Sequence, residues 1–148
     1  MYKIFDMEAY MSTYMKFIFG ATSIMLLALG WHFGTVFGFW GMAPQTPIEF
    51  FVRLAVIVVG FIIISTVSAI MVASKDEDAI EPDEREATIV RKAERDGGYV
   101  ASFGLCVIMW LVFRPLDPMA LANIALAFLS LSELTKIASG AIYLRQGA

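Results

Sequence analysis

The sequence predicts an all-α fold: an integral membrane four-helix bundle of two helical hairpins, joined by a short charged cytoplasmic helix. Three observations carry that expectation. Hydrophobic residues make up 59% of the 148 and charged residues 17%, with a mean hydropathy of +0.71. Soluble domains hold roughly 45–50% and 25%. The apolar residues gather into four runs, at about 15–40, 48–73, 98–113 and 118–143. The charges gather as well: residues 75–98 hold nine acids and five bases, over half of the chain's total. By length the chain is one transmembrane domain, residues 1–148, with a cytoplasmic loop at 75–97. A bilayer core about 30 Å thick takes about 20 residues of helix, so each run reads as a span. Four such runs would leave a soluble protein too little polar surface, and a membrane β-barrel would need a period-2 alternation that is absent.

The leader "MYKIFDMEAYMST" sets Ile4, Met7, Met11 and Tyr14 at helical spacing against Lys3, Asp6 and Glu8. That suits an amphipathic surface helix or an early start to the first span. A cleavable signal peptide is not expected, given acids in the leader, the long apolar run and aromatics near its far end. Tyr14 to Gly41 carries only Lys16 and His32 as potential charges. Gly30, Gly34 and Gly38 recur every four residues, a small-xxx-small ladder that lets backbones approach closely and so predicts a helix–helix seam. Trp31 and Trp40 are expected in the aromatic belt, with His32 among them.

The turn "APQTPIEF" places Thr46 as N-cap, Pro47 at N1 and Glu49 at N3, a capping box that opens the second span. From Phe50 to Ser74 that span carries only Arg53. The charges that follow cannot enter hydrocarbon cheaply and collect in the connector. Their order suits a helix: Asp83 caps it, Glu86 follows, acids crowd its first turn, and Arg91, Lys92 and Arg95 come later. Glu81 and Arg85 form an i,i+4 pair. Gly97 and Gly98 offer a C-cap or hinge. Ala87, Val90 and Ala93, with Ile89 beside them, leave a narrow apolar strip. The expected docking residues for a partner are Asp83, Glu84, Arg85, Glu86, Arg91, Lys92 and Arg95; a solvated connector that fixes topology is the simpler reading.

"DERE" followed by "I..KA", carried by Asp83, Glu84, Arg85, Glu86, Ile89, Lys92 and Ala93, resembles a family of small bacterial four-span membrane proteins of unknown function. The resemblance covers roughly the second half of the chain, and loosely its last two spans. It implies a bacterial inner membrane location. Members sometimes accompany transcriptional regulators, which implies a regulatory role.

The third span, Tyr99 to Phe113, carries no charge but is short, about 22 Å at ~1.5 Å per residue, so it must borrow Gly97 and Gly98, snorkel Arg114 or thin the bilayer. Cys106 lies in it as a small packing residue and reports no redox compartment. "RPLDPMAL" repeats the earlier device, with Asp117 as cap and Pro118 at N1. In the fourth span Glu133 and Lys136 are i,i+3 on one face. Lys136 lies about 27 Å from Pro118 at ~1.5 Å per residue, near the headgroups, which favours a structural charge pair over an ion pathway. Lys3, Lys16, Lys75, Arg85, Arg91, Lys92, Arg95 and Arg145 fall on one side, and Arg53 and Arg114 on the other. The positive-inside rule then makes both termini cytoplasmic.

No nucleophile–base arrangement is present, since the one thiol and the one imidazole lie in separate spans. No enzyme activity, cofactor or metal is expected, and a net charge of −3 without a soluble basic cluster argues against nucleic acid. The expected partners are membrane lipids and other membrane chains or a soluble cytoplasmic protein, with a homo-oligomer left open. Three functions remain. The first is an adapter or regulator acting through the charged helix. The second is an accessory subunit of a larger complex of respiratory or photosynthetic type, and the third a small oligomeric transporter or channel.

Overall fold

The computed structural model describes residues 13–73 and 83–146. The reading of the leader as an amphipathic helix and the Glu81–Arg85 pair lie outside the described residues. Four helices follow one another: α1 (Thr13–Val36), α2 (Pro47–Ala73), α3 (Glu84–Leu111) and α4 (Pro118–Gln146). Three are long and apolar enough to cross a membrane, over Met15–Val36, Pro47–Met71 and Pro118–Gln146. The exception is α3, whose first half holds charged residues that exclude it from that class.

Helix starts follow the cap chemistry. The Glu49 amide donates to Thr46 Oγ1 at 3.2 Å, while the Glu49 carboxylate accepts from the Gln45 amide at 2.8 Å, one residue earlier than a capping box requires. Asp117 Oδ2 accepts from the Ala120 amide at 3.2 Å, and Asp83 Oδ1 accepts from the Glu84 amide at 2.7 Å.

Two boundaries differ from expectation. The first span ends at Val36, not near residue 40. The Phe39 amide donates to Gly34 O at 2.8 Å and the Gly38 amide to Thr35 O at 3.1 Å. With Gly38 at φ +78, this is a Schellman stop, and Gly38 is its left-handed residue. The charged connector helix and the third span are, in addition, one helix of 28 residues. Gly97 and Gly98 neither cap nor hinge it. Their φ values stay negative, and α3 runs through them because α4 packs against that point.

Packing is uneven. α3 lies along α4 with the most extensive contact, while α1 makes smaller contacts to α2 and α4. Leu29, Phe50 and Leu126 form a small core joined by Met25, Phe33, Leu54, Met119 and Ala122. It draws on α1, α2 and α4. Most of α2 is bare: Phe51, Val52, Val56, Ile62, Ile63 and Ile70 are all more than half exposed.

Candidate functional site

The charged half of α3 is held rather than loose. Glu86, Ile89, Ala93 and Gly97 are buried and recur at helical spacing, so one stripe faces inward. Ile89 is fully buried. The apolar strip expected to meet a partner is therefore occupied within the chain, because Ile89 and Ala93 turn toward α1 and α4. Of the expected docking residues, Asp83, Glu84, Arg85, Arg91 and Arg95 are exposed, Lys92 is half-buried and Glu86 is buried. Glu84, Arg91 and Arg95 share the face opposite the buried stripe, by their spacing along the helix.

Four contacts pin this segment to α4. Ser132 Oγ, buried, donates to Gly97 O at 2.8 Å. A side chain at Gly97 would collide with the Lys136 stem and Ser132 O. Tyr143 Oη donates to Asp96 Oδ2 at 2.7 Å, and Lys92 Nζ stands 5.5 Å from the Tyr143 ring centroid. The Tyr143 hydroxyl, aided by Ser139 and by Arg95 at 3.4 Å, holds the Asp96 carboxyl below its ordinary range. Further along, Gly104 leaves room for the Phe128 ring, which meets Phe103 edge-on at 6.1 Å between centroids.

Glu133 and Lys136 pair at 2.6 Å, with side chains 13% and 33% exposed. They line a cavity of about 240 Å³ between α1, α3 and α4, together with Phe19, Ile89, Glu94 and Gly140. The pair lies level with Gly97, where the charged half of α3 gives way to its apolar half. Lys136 thereby serves two contacts, an ion pair through its ammonium and packing through its stem.

The glycine ladder is not brought together as one seam. Gly30 faces open space, Gly38 lies beyond the helix, and Gly34 is covered by the Trp40 indole folding back from the turn. Trp40 Nε1 donates to Trp31 O at 3.1 Å. Cys106 is exposed rather than packed.

His32 is likewise not a belt residue. It is 1% exposed, edge-on to Phe33 and Phe50 with ring centroids 5.5 Å away in each case. Its Nε2 lies 3.0 Å from Asn123 Oδ1. Asn123 Nδ2 already donates to Met119 O at 2.9 Å, so Oδ1 is the acceptor and Nε2 carries the proton. Beside it Thr35 Oγ1 donates to His32 O at 2.7 Å and accepts from Arg53 Nη1 at 2.6 Å, while Arg53 Nη2 reaches Met42 O at 3.0 Å. This polar knot ties α1, α2 and α4. Sequence reasoning missed it, although the single histidine and single asparagine, each inside an apolar run, were a signal.

Comparison with protein families, with curated proteins and with solved structures found no match.

Proposed function

We propose that the protein is a small, non-enzymatic adapter of the bacterial inner membrane that offers the exposed face of α3 to a soluble cytoplasmic protein. One observation carries this reading. The segment Asp83–Asp96 is fastened on its inward side through Ile89, Ala93, Asp96 and Gly97, while Glu84, Arg91 and Arg95 project outward. A connector that served only to fix topology would gain nothing from being fastened along its length. A preorganised charged face loses less entropy on binding than a free loop. The resemblance of Asp83–Glu86 to the four-span family supports a regulatory partner.

The membrane arrangement in this reading has four crossings, with α3 running outward from its charged cytoplasmic end and α4 returning beside it. Facing pairs Thr35–Arg53 and Gly97–Ser132 support two hairpins, and the Lys and Arg distribution supports cytoplasmic termini. The test is mild-detergent purification with identification of co-purifying chains, wild type against Glu84→Lys/Arg91→Glu. The reading expects a chain that follows the wild type alone, with membrane insertion equal in both. It fails if the same chains follow both proteins, or if none follows the wild type.

A second reading, an accessory subunit of respiratory or photosynthetic type, draws on the bare apolar side of α2. The Gly30, Gly34 and Gly38 ladder no longer supports it. The transporter or channel reading rests on Glu133 and Lys136. Their mutual pairing and the packing of Lys136 on Gly97 favour a structural role.

A further inference from the structure

We propose that the inner end of the α1–α2 groove is a binding site for an anionic glycerophospholipid of the cytoplasmic leaflet. The proposal rests on the membrane reading above. The two helices meet near their outer ends, through Leu29, Phe50 and the Thr35–Arg53 hydrogen bond. Toward their other ends they leave a groove of about 190 Å³ lined by Lys16, Gly20, Phe61, Ile64, Ser65 and Ser68, among others.

Two features of that groove call for a ligand. Ser65 Oγ is buried and, among the described residues, is the one such side-chain polar atom without a hydrogen-bond partner. Four other helical hydroxyls bond back to the carbonyl four residues earlier: Thr22 to Ile18, Thr88 to Glu84, Ser130 to Leu126 and Thr135 to Leu131. Ser65 Oγ, though buried, makes no such bond. A buried hydroxyl of this kind needs a partner, and in a bilayer the partner has to come from lipid or protein. The second feature is Lys16. It is exposed at the same end of the groove, and no carboxylate among the described residues lies within ion-pair distance.

The chemistry fits one occupant. A phosphodiester with negative net charge meets the Lys16 ammonium, and glycerol or ester oxygens accept from Ser65 and Ser68. The upper acyl chain lies against Phe61 and Ile64. Gly20 keeps the floor open, since nothing stands within 4 Å of where its side chain would be. Ser65 lies 18 residues beyond Pro47, about 27 Å along α2 at ~1.5 Å per residue, which is the depth of the far headgroup boundary.

The full chain in mild detergent is titrated with dioleoyl phosphatidylglycerol or dioleoyl phosphatidylcholine, and bound lipids are counted by native mass spectrometry. The wild type should retain phosphatidylglycerol in preference. Lys16→Gln should lower that retention about fivefold, the worth of one lysine at an anionic surface. Ser65→Leu should fill the groove and lower retention of both lipids, and Ser65→Ala should weaken it without adding bulk. Arg145→Gln, a basic change outside the groove, should leave retention as it is. Unchanged helical circular dichroism verifies that each variant is folded. Equal retention of the two lipids by the wild type would overturn the proposal, as would a preference that survives Lys16→Gln. A second copy of the chain, released by Ser65→Leu in place of lipid, would overturn it too. A wild type that stays in solution without detergent would instead refute the membrane reading itself.

Discussion

The α3–α4 pair and the α1–α2 pair are built on different principles. α3 carries the charges, yet it has the most extensive contact with a neighbour. α2 is almost wholly apolar, yet among its described residues Phe50, near its start, is the one that is buried. Where lipid tails are as apolar as leucine, apolarity does not draw helices together. Small residues and internal hydrogen bonds do. Gly97 and Gly104 on α3 admit Lys136 and Phe128 of α4, and Ser132 and Tyr143 add hydrogen bonds across the seam. Among the described residues, α2 shows no comparable device beyond Arg53. In the membrane reading proposed above, its apolar side faces hydrocarbon.

The sharpest way to break this contrast is to add bulk on each side. Gly104→Leu and Gly97→Leu should each cost about 1–3 kcal/mol and lower the thermal midpoint in detergent. Gly60→Leu on α2, with open space around it, should stay within about 0.5 kcal/mol. Equal effects would mean that α2 has a protein neighbour along that face. Next in size, His32→Leu and Asn123→Leu each strand a buried partner and should cost about 1 kcal/mol. The double variant should recover part of that loss in a double-mutant cycle, and strict additivity would contradict the bond. Gly38→Ala should cost about 1 kcal/mol because Gly38 stands in a left-handed turn. Gly30→Ala should be neutral or better, whereas a working glycine seam would give the opposite order.

The smallest effect concerns pH. Because the folded Asp96 carboxyl is held below its unfolded value of about 3.9, its contribution is present above that pH. It is lost as pH falls through the lower folded value. Acid titration should therefore loosen the Asp96 end of α3–α4 first, read as amide exchange around residues 92–97. Tyr143→Phe should remove most of that dependence.

What the sequence disclosed follows from what is local. Thr46, Asp83 and Asp117 declared helix starts because a cap acts within three residues. The four apolar runs declared four helices, and the i,i+3 spacing of Glu133 and Lys136 placed them together. Features that depend on a distant partner were hidden. Gly34 and Gly38 read as a ladder only while the helix was assumed to continue, and the Schellman turn with the returning Trp40 gave them separate tasks. Gly97 read as a hinge because nothing local announces Ser132 and Lys136 across the seam. The strip around Ile89 looked available because its cover, α1 and α4, comes from elsewhere in the chain. His32 and Asn123 stand 91 positions apart, and their pairing becomes visible only when α1 meets α4.

The claim on which the rest depends is that the charged half of α3 faces the cytoplasm while the turn between α1 and α2 faces outward. In a Cys106→Ala background, Gln45→Cys and Glu84→Cys put single thiols at exposed positions on the two sides. A membrane-impermeant maleimide should label Gln45→Cys in intact cells and Glu84→Cys only after permeabilisation. Labelling of Glu84→Cys in intact cells, or protection of Gln45→Cys there, would contradict the arrangement.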